Sequence, residues 1–163
     1  MMKAKQTGFT LIELVVVIVI LGILAATALP RFAALQVQAR VAKLNAALGA
    51  VKGGAALTHA SCLATTGCAM AAFTLPMEGV GVTLIAQYPT ADAAGIISAA
   101  GLTISAAEGY QTSGGGAAEG SVLTVQVLGN APATCSFTYT AATSAAGVIT
   151  SPPLYSAVTT TGC

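Results

Sequence analysis

Apolar and polar positions change period twice along this chain. From Phe9 to Leu29 nearly every position is apolar, and only one of these 21 residues, Glu13, is charged. At about 1.5 Å rise per residue, a helix over this run is roughly 31 Å long, close to the hydrocarbon thickness of a bilayer. Beyond Pro30 the apolar positions thin out to Val37, Val41, Leu44, Leu48, Val51 and Ala55. Steps of four and three mark one stripe of an amphipathic helix. Ala33, Ala34, Ala39, Ala42, Ala46, Ala47 and Ala50 are expected on its other faces, where small residues would let a neighbouring helix come close. The spacing predicts one helix from about Phe9 to about Thr58, with an anchor half over residues 9–30 and an amphipathic half over 31–58. Two residues interrupt it. Gly22 weakens a helix by about 1 kcal/mol relative to alanine, and Pro30 removes a backbone donor and crowds the preceding turn.

The helical period is lost over residues 59–79. Val80, Val82, Leu84 and Ala86 then alternate with less apolar residues, which predicts a strand. Ala91 to Ala100 reads as a short helix with Thr90 or Asp92 at its start. Ser113-Gly114-Gly115-Gly116 reads as a turn. Val122–Leu128 and Cys135–Tyr139 read as strands joined through Asn130-Ala131-Pro132. Ser151-Pro152-Pro153 marks a loop or a covered edge. The expected class is therefore α+β, with a long helix laid on a small antiparallel sheet and a globular head over residues 59–163.

Glu13 is the anomaly in this pattern. A carboxylate deep in an apolar span costs on the order of 3 kcal/mol or more and calls for a partner, yet no basic residue lies between Phe9 and Leu29. A cut between Gly8 and Phe9 would create an α-amino group four residues before it, which a neighbouring copy could set against the carboxylate. Lys3-Ala4-Lys5-Gln6-Thr7-Gly8 followed by Phe9-Thr10-Leu11-Ile12-Glu13-Leu14 resembles the class III signal of type IV pilins and type II secretion pseudopilins. That resemblance implies the type IV pilin fold, removal of leader residues 1–8 by a prepilin peptidase, and N-methylation of Phe9. It implies pairing of Glu13 with a neighbour's amino terminus during assembly, and a helix break from Gly22 to Pro30 in the filament. It further implies an inner-membrane assembly platform and a homopolymer as partners. Lys3 and Lys5 place the leader on the cytoplasmic side. The chain is then expected in the inner membrane before assembly and in an extracellular pilus afterwards. An ordinary secretory signal would have a shorter apolar region and would leave Glu13 unexplained.

Leu29-Pro30-Arg31-Phe32 with Leu35, Gln36, Ala39 and Arg40 resembles mannose-sensitive haemagglutinin type pilins. So do Gly79-Val80, Tyr88-Pro89-Thr90-Ala91, Cys135-Ser136-Phe137-Thr138-Tyr139-Thr140 and the final Gly162-Cys163. Cys62 and Cys68 are not shared by every member of that branch. The chain also lacks the carboxylate cluster near its end with which major pseudopilins hold calcium, since its last acid is Glu119. That favours a pilus over a secretion pseudopilus; the expected role is the major structural subunit of a type IV pilus, with a type II secretion pseudopilin or a minor pilin as the alternative.

Charge and cysteine refine this reading. Only 7 % of residues are charged, so the head is expected to pack among copies of itself rather than stay dispersed by repulsion. After Gly8 the basic residues Arg31, Arg40, Lys43 and Lys52 all precede residue 53. The acids after Glu13, namely Glu78, Asp92, Glu108 and Glu119, all follow it. This asymmetry could orient neighbouring subunits. Four scattered cations do not point to nucleic acid. Four cysteines in an extracytoplasmic head allow three disulfide connectivities. Cys62 with Cys68 and Cys135 with Cys163 are the simplest pairs, and the second resembles the disulfide-bounded C-terminal loop of type IV pilins. His59 with Cys62 and Cys68 has poor spacing for zinc and no second histidine. No metal, cofactor or enzymatic activity is expected. His59 reads as a solvated or capping residue, Gly114-Gly115-Gly116 lacks the Lys-Ser/Thr of a phosphate loop, and Tyr88, Tyr110, Tyr139 and Tyr155 read as packing residues.

Overall fold

The computed structural model describes residues 9–129 and 131–163. Gly8 and the rest of the leader, and Asn130 of the expected turn, lie outside the described residues. A single helix, α1, runs over Leu11–Ala64. It belongs to two compact units that meet at Gln38 and Ala39. In the first unit α1 is long and apolar enough to cross a membrane, and Gly22 and Pro30 lie inside continuous helix. The break is implied for the filament, and the single chain is helical through both residues. Proline deletes one N–H from the ladder, and the flanking hydrogen bonds carry the helix past it. Thr27 also returns its hydroxyl to the carbonyl of Leu24 at 3.0 Å.

The second unit is the head, and it begins at Ala39 rather than at residue 59. The amphipathic half of α1 is its central element. Leu44, Ala47, Val51, Gly54, Ala55, Thr58 and Cys62 are buried, so the stripe seen in the sequence continues two further steps, through Thr58 and Cys62. Thr58 looked like an end because it is polar, but its hydroxyl is satisfied within the head by Met77 Sδ at 3.4 Å. The helix stops at Ala64. The Thr65 hydroxyl bonds the Ser61 carbonyl, and Gly67 takes φ +88°, which a residue with a Cβ adopts at a cost.

Three small antiparallel arrangements follow. Strands β1 (Phe73–Met77), β2 (Val80–Ile85) and β3 (Tyr88–Pro89) form a sheet in that order. β1 falls in the stretch read as irregular. Its Phe73, Leu75 and Met77 alternate, but Pro76 and Gly79 hid the period. Pro76 is tolerated because β1 is an edge strand. Strands β4 (Tyr110–Gly114), β5 (Val122–Val127), β6 (Ser136–Thr140) and β9 (Leu154–Tyr155) form the second sheet, in the order β4-β5-β6-β9. β4 takes in Ser113 and Gly114, so the glycine turn starts later than its composition suggests. β7 (Thr143–Ala145) and β8 (Val148–Ser151) make a separate hairpin that the sequence did not announce. Between the sheets Ala93–Ile97 forms a short π-helical turn, started by Asp92, whose carboxylate accepts from the Gly95 N–H at 2.7 Å.

The main core packs Leu44, Ala47, Val51 and Ala55 of α1 against Leu123, Val125 and Val127 of β5 and Phe137 and Tyr139 of β6. Alternation explains the choice, since successive side chains of each strand face opposite sides. A satellite cluster joins Cys62, Leu75 and Leu84. This is an α+β layout, a long N-terminal helix followed by small antiparallel sheets, and it fits the type IV pilin fold.

Candidate functional site

The functional surface begins at the start of α1. Thr10 precedes the first helical residue, and Glu13 sits three positions later. Glu13 Oε2 accepts from the Thr10 N–H at 2.8 Å and from the Thr10 hydroxyl at 2.6 Å. Thr10 Oγ1 in turn accepts from the Glu13 N–H at 3.4 Å. This reciprocal arrangement is a capping box, which satisfies two donors that a helix start otherwise leaves orphaned. The carboxylate read as needing a foreign partner therefore has one in its own chain, through one oxygen. Oε1 accepts no hydrogen bond among the described residues. Thr10 went unnoticed in the sequence, although Thr-x-x-Glu ahead of an apolar run is the signature that would have found it.

Around this start the helix is uncovered. Every apolar side chain from Leu11 to Leu24 other than alanine is at least 41 % exposed. Phe9, Ile12, Val16 and Val17 line a shallow hollow beside Glu13. Gly22 has no packing role inside the chain, since a Cβ there would meet nothing within 4 Å. The hydrophobic effect makes so large an apolar surface unfavourable in water. It needs lipid or other copies of the helix.

The head is fastened at its far end. Cys62 is joined to Cys68 and Cys135 to Cys163, so neither His59 nor a thiolate pair is placed to hold zinc. Cys163 is almost fully buried. Its carbonyl accepts from the Arg40 guanidinium at 2.7 Å, and its N–H bonds Thr160 O at 3.1 Å. Gly162 must be glycine, because an added Cβ would lie 2.0 Å from Thr134 Oγ1 and 2.3 Å from Ala131 O. Arg40 is thus a clasp between helix and C-terminal loop, a role its place in the sequence does not show. Lys43 is a second clasp, bonding the Glu108 carbonyl and lying over the Tyr110 ring at 4.4 Å.

His59 is neither solvated nor a cap. Its ring stacks on Tyr88 at 4.0 Å, and Nδ1 meets Gln87 O at 3.1 Å. Tyr139 is buried and donates its hydroxyl to Pro89 O at 2.7 Å, linking the two sheets. Burial pushes its phenol well above the ordinary tyrosine range, and Tyr155 and Tyr88 add to the shift. Glu119 holds the β7–β8 hairpin by accepting from the hydroxyl and N–H of Ser144. The Ser144 hydroxyl and then its N–H lower the Glu119 pKa below the ordinary carboxylate value.

A model described as the prokaryotic N-terminal methylation motif matches residues 3–29, which contain the Thr10–Glu13 box and most of the uncovered helix. A 56-residue stretch is 54 % identical to the type IV narrow pilus major component PilA5 of Thermus thermophilus. Over about a third of its length the chain is thus similar to a type IV pilin. That match covers 34 % of this chain and 47 % of the relative, so the chain aligns with about half of the relative's length. No solved structure matches.

Proposed function

We propose that the chain is the major structural subunit of a type IV pilus. The observation that carries this is the coincidence of a methylation motif over residues 3–29 with an apolar helix that its own chain leaves bare. In this reading a prepilin peptidase cuts between Gly8 and Phe9, and the new amino group is methylated. The helix rests in the inner membrane until an assembly platform lifts it into the filament. There copies replace lipid around Leu11 to Leu24, and apolar burial at roughly 25 cal/mol per Å² supplies the cohesion. Glu13 keeps Oε1 open for a neighbour's ammonium group, which would set the register. Gly22 and Pro30 are helical in the single chain, and loosening there on assembly is part of the proposal. The role is structural rather than enzymatic, and no group of three metal-ligating side chains converges among the described residues.

The test is mass spectrometry and electron microscopy of material sheared from cells. Filaments built mainly of this chain, starting at N-methylated Phe9, are expected. An intact Met1 in the filament, or a start near Ala26 to Leu29, refutes the reading. Filaments in which this chain is a trace component would make it a minor pilin or pseudopilin.

A further inference from the structure

Within the head, most charges are engaged. Arg40 bonds Cys163 O, Lys43 bonds Glu108 O, and Lys52 lies over the Tyr155 ring. Asp92 is held by Thr90 and Gly95, and Glu119 by Ser144. Burial and then the Glu108 carboxylate raise the Tyr110 pKa, while Lys43 is bonded to the Glu108 backbone carbonyl and the Glu108 carboxylate accepts no hydrogen bond among the described residues. Glu78 is exposed and has no hydrogen-bond partner among the described residues.

Its backbone conformation is one that Ala86, Gln87 and Ala146 share in the other hairpin turns, but Glu78 alone of these carries a charge. Glu78 and Gly79 connect β1 to β2, with φ +49° and +84°. A two-residue hairpin turn with both φ positive favours Asn, Asp or Gly at its first position. Glutamate there is strained, and strain in a short turn points to a role outside the turn. Beside it lies a cleft of about 400 Å³, whose lining includes Leu57, Met77, Val80, Ala99 and Gly101. Leu57 and Val80 are 66 % and 53 % exposed. The cleft is therefore a trough of mixed character, with apolar side chains from Leu57, Met77 and Val80 and polar groups that include Ser98 and the Glu78 carboxylate.

The first unit offers the complement. Arg31 is exposed and has no partner among the described residues. At 100° per residue on α1, Arg31, Phe32 and Leu35 share a sector of about 100°. Phe32 and Leu35 are 64 % and 58 % exposed. The chain thus carries a cation flanked by apolar side chains on its helix and a carboxylate at the trough on its head.

We propose that the cleft beside Glu78 receives the Arg31–Leu35 segment of a second copy, with Arg31 set against Glu78 and Phe32 or Leu35 in the trough. The apolar contact supplies the burial, and the charge pair fixes register and rejects misaligned copies. This rests on the filament reading above.

The experiment uses the full chain in sheared filaments. An Arg31→Lys variant keeps the charge and supplies an amine, which a zero-length carbodiimide couples to a carboxylate in contact with it. The expected result is a covalent dimer whose cross-linked peptide joins position 31 to Glu78, and whose yield collapses in Arg31→Lys/Glu78→Gln. Charge reversal is the second arm. Glu78→Arg and Arg31→Glu should each lower filament yield, and the two together should restore it. Filaments that form normally but cross-link position 31 to another carboxylate, within one chain, or not at all, overturn the inference and leave the filament reading intact. Absence of filaments from the unaltered chain removes the filament reading itself, and the inference with it.

Discussion

Two adjacent glycines in α1 should respond to the same substitution with opposite signs. Gly53 and Gly54 both lie well inside the helix. A Cβ on Gly53 would meet nothing within 4 Å, whereas one on Gly54 would lie 2.5 Å from Ala99 O, 2.7 Å from Ala99 C and 2.9 Å from Ala100 N. Gly53→Ala therefore gains the helix propensity of alanine, about 0.9 kcal/mol. Gly54→Ala gains the same propensity, but its methyl group meets backbone that no rotamer change can move aside. Overpacking of this kind costs about 1–3 kcal/mol and more where backbone must shift, so the net effect is a loss of about 1–2 kcal/mol. At roughly 4 °C per kcal/mol for a unit of this size, the midpoints should move up by about 4 °C and down by about 4–8 °C. Thermal unfolding of detergent-dispersed full-length chain, followed by circular dichroism, measures both without interference from neighbouring copies. If Gly54→Ala is as stable as Gly53→Ala, the segment around Ala99 is not seated on the helix as described.

The two disulfides should differ in worth. Their sequence separations are 28 and 6 residues, for which loop entropy gives about 3.6 and about 2.4 kcal/mol. Cys135→Ala/Cys163→Ala should thus lower the urea midpoint more than Cys62→Ala/Cys68→Ala, and an equal or reversed ranking would refute this. Acid should release the β7–β8 hairpin. The folded pKa of Glu119 is depressed by Ser144, so its contribution is present above the ordinary carboxylate pKa of 4.5 and is lost as pH falls through the folded value. Amide exchange at Ser144, corrected for intrinsic rate, should accelerate below about pH 4.5 and should lose this step in Glu119→Gln. A step that persists in the variant would assign the release to another group.

Legibility followed the strength of each periodic signal. The long helix, its stripe, and strands β2 and β5 were readable because burial on one face imposes a period over six or more positions, and the five-residue β6 was readable from its aromatic and β-branched residues. The end of α1 was misread because Thr58 is polar by composition yet buried by position, and only the fold shows Met77 beside its hydroxyl. β1 and β4 were missed because Pro76 and Gly114 are turn-forming residues used at strand edges and ends. β9 and the β7–β8 hairpin are too short to carry a period. Arg40, Lys43 and Gly162 act through partners far away in sequence, so no local pattern announces them. Thr10 was readable from a four-residue motif, but the membrane cost of Glu13 drew the reading toward a partner in another copy.

That shift changes how the Glu13 hypothesis must be tested. In the single chain the carboxylate caps its own helix through Oε2, so loss of assembly on removing it could reflect a frayed helix start or a missing charge. Two substitutions separate these. Glu13→Gln keeps an amide oxygen that can accept from Thr10, and removes the charge. Thr10→Val keeps the charge and side-chain size, and removes the hydroxyl that joins the box from both sides, at about 1 kcal/mol of helix stability. If Oε1 pairs with a neighbour's ammonium group, Glu13→Gln should abolish filaments while amide exchange at Ile12 and Glu13 in detergent stays near that of the unaltered chain. Thr10→Val should speed that exchange about fivefold, the factor that 1 kcal/mol corresponds to, and leave filaments at reduced yield. The opposite pattern, with filaments in Glu13→Gln and none in Thr10→Val, would show that assembly needs the rigid helix start and that intermolecular charge pairing has no part in it.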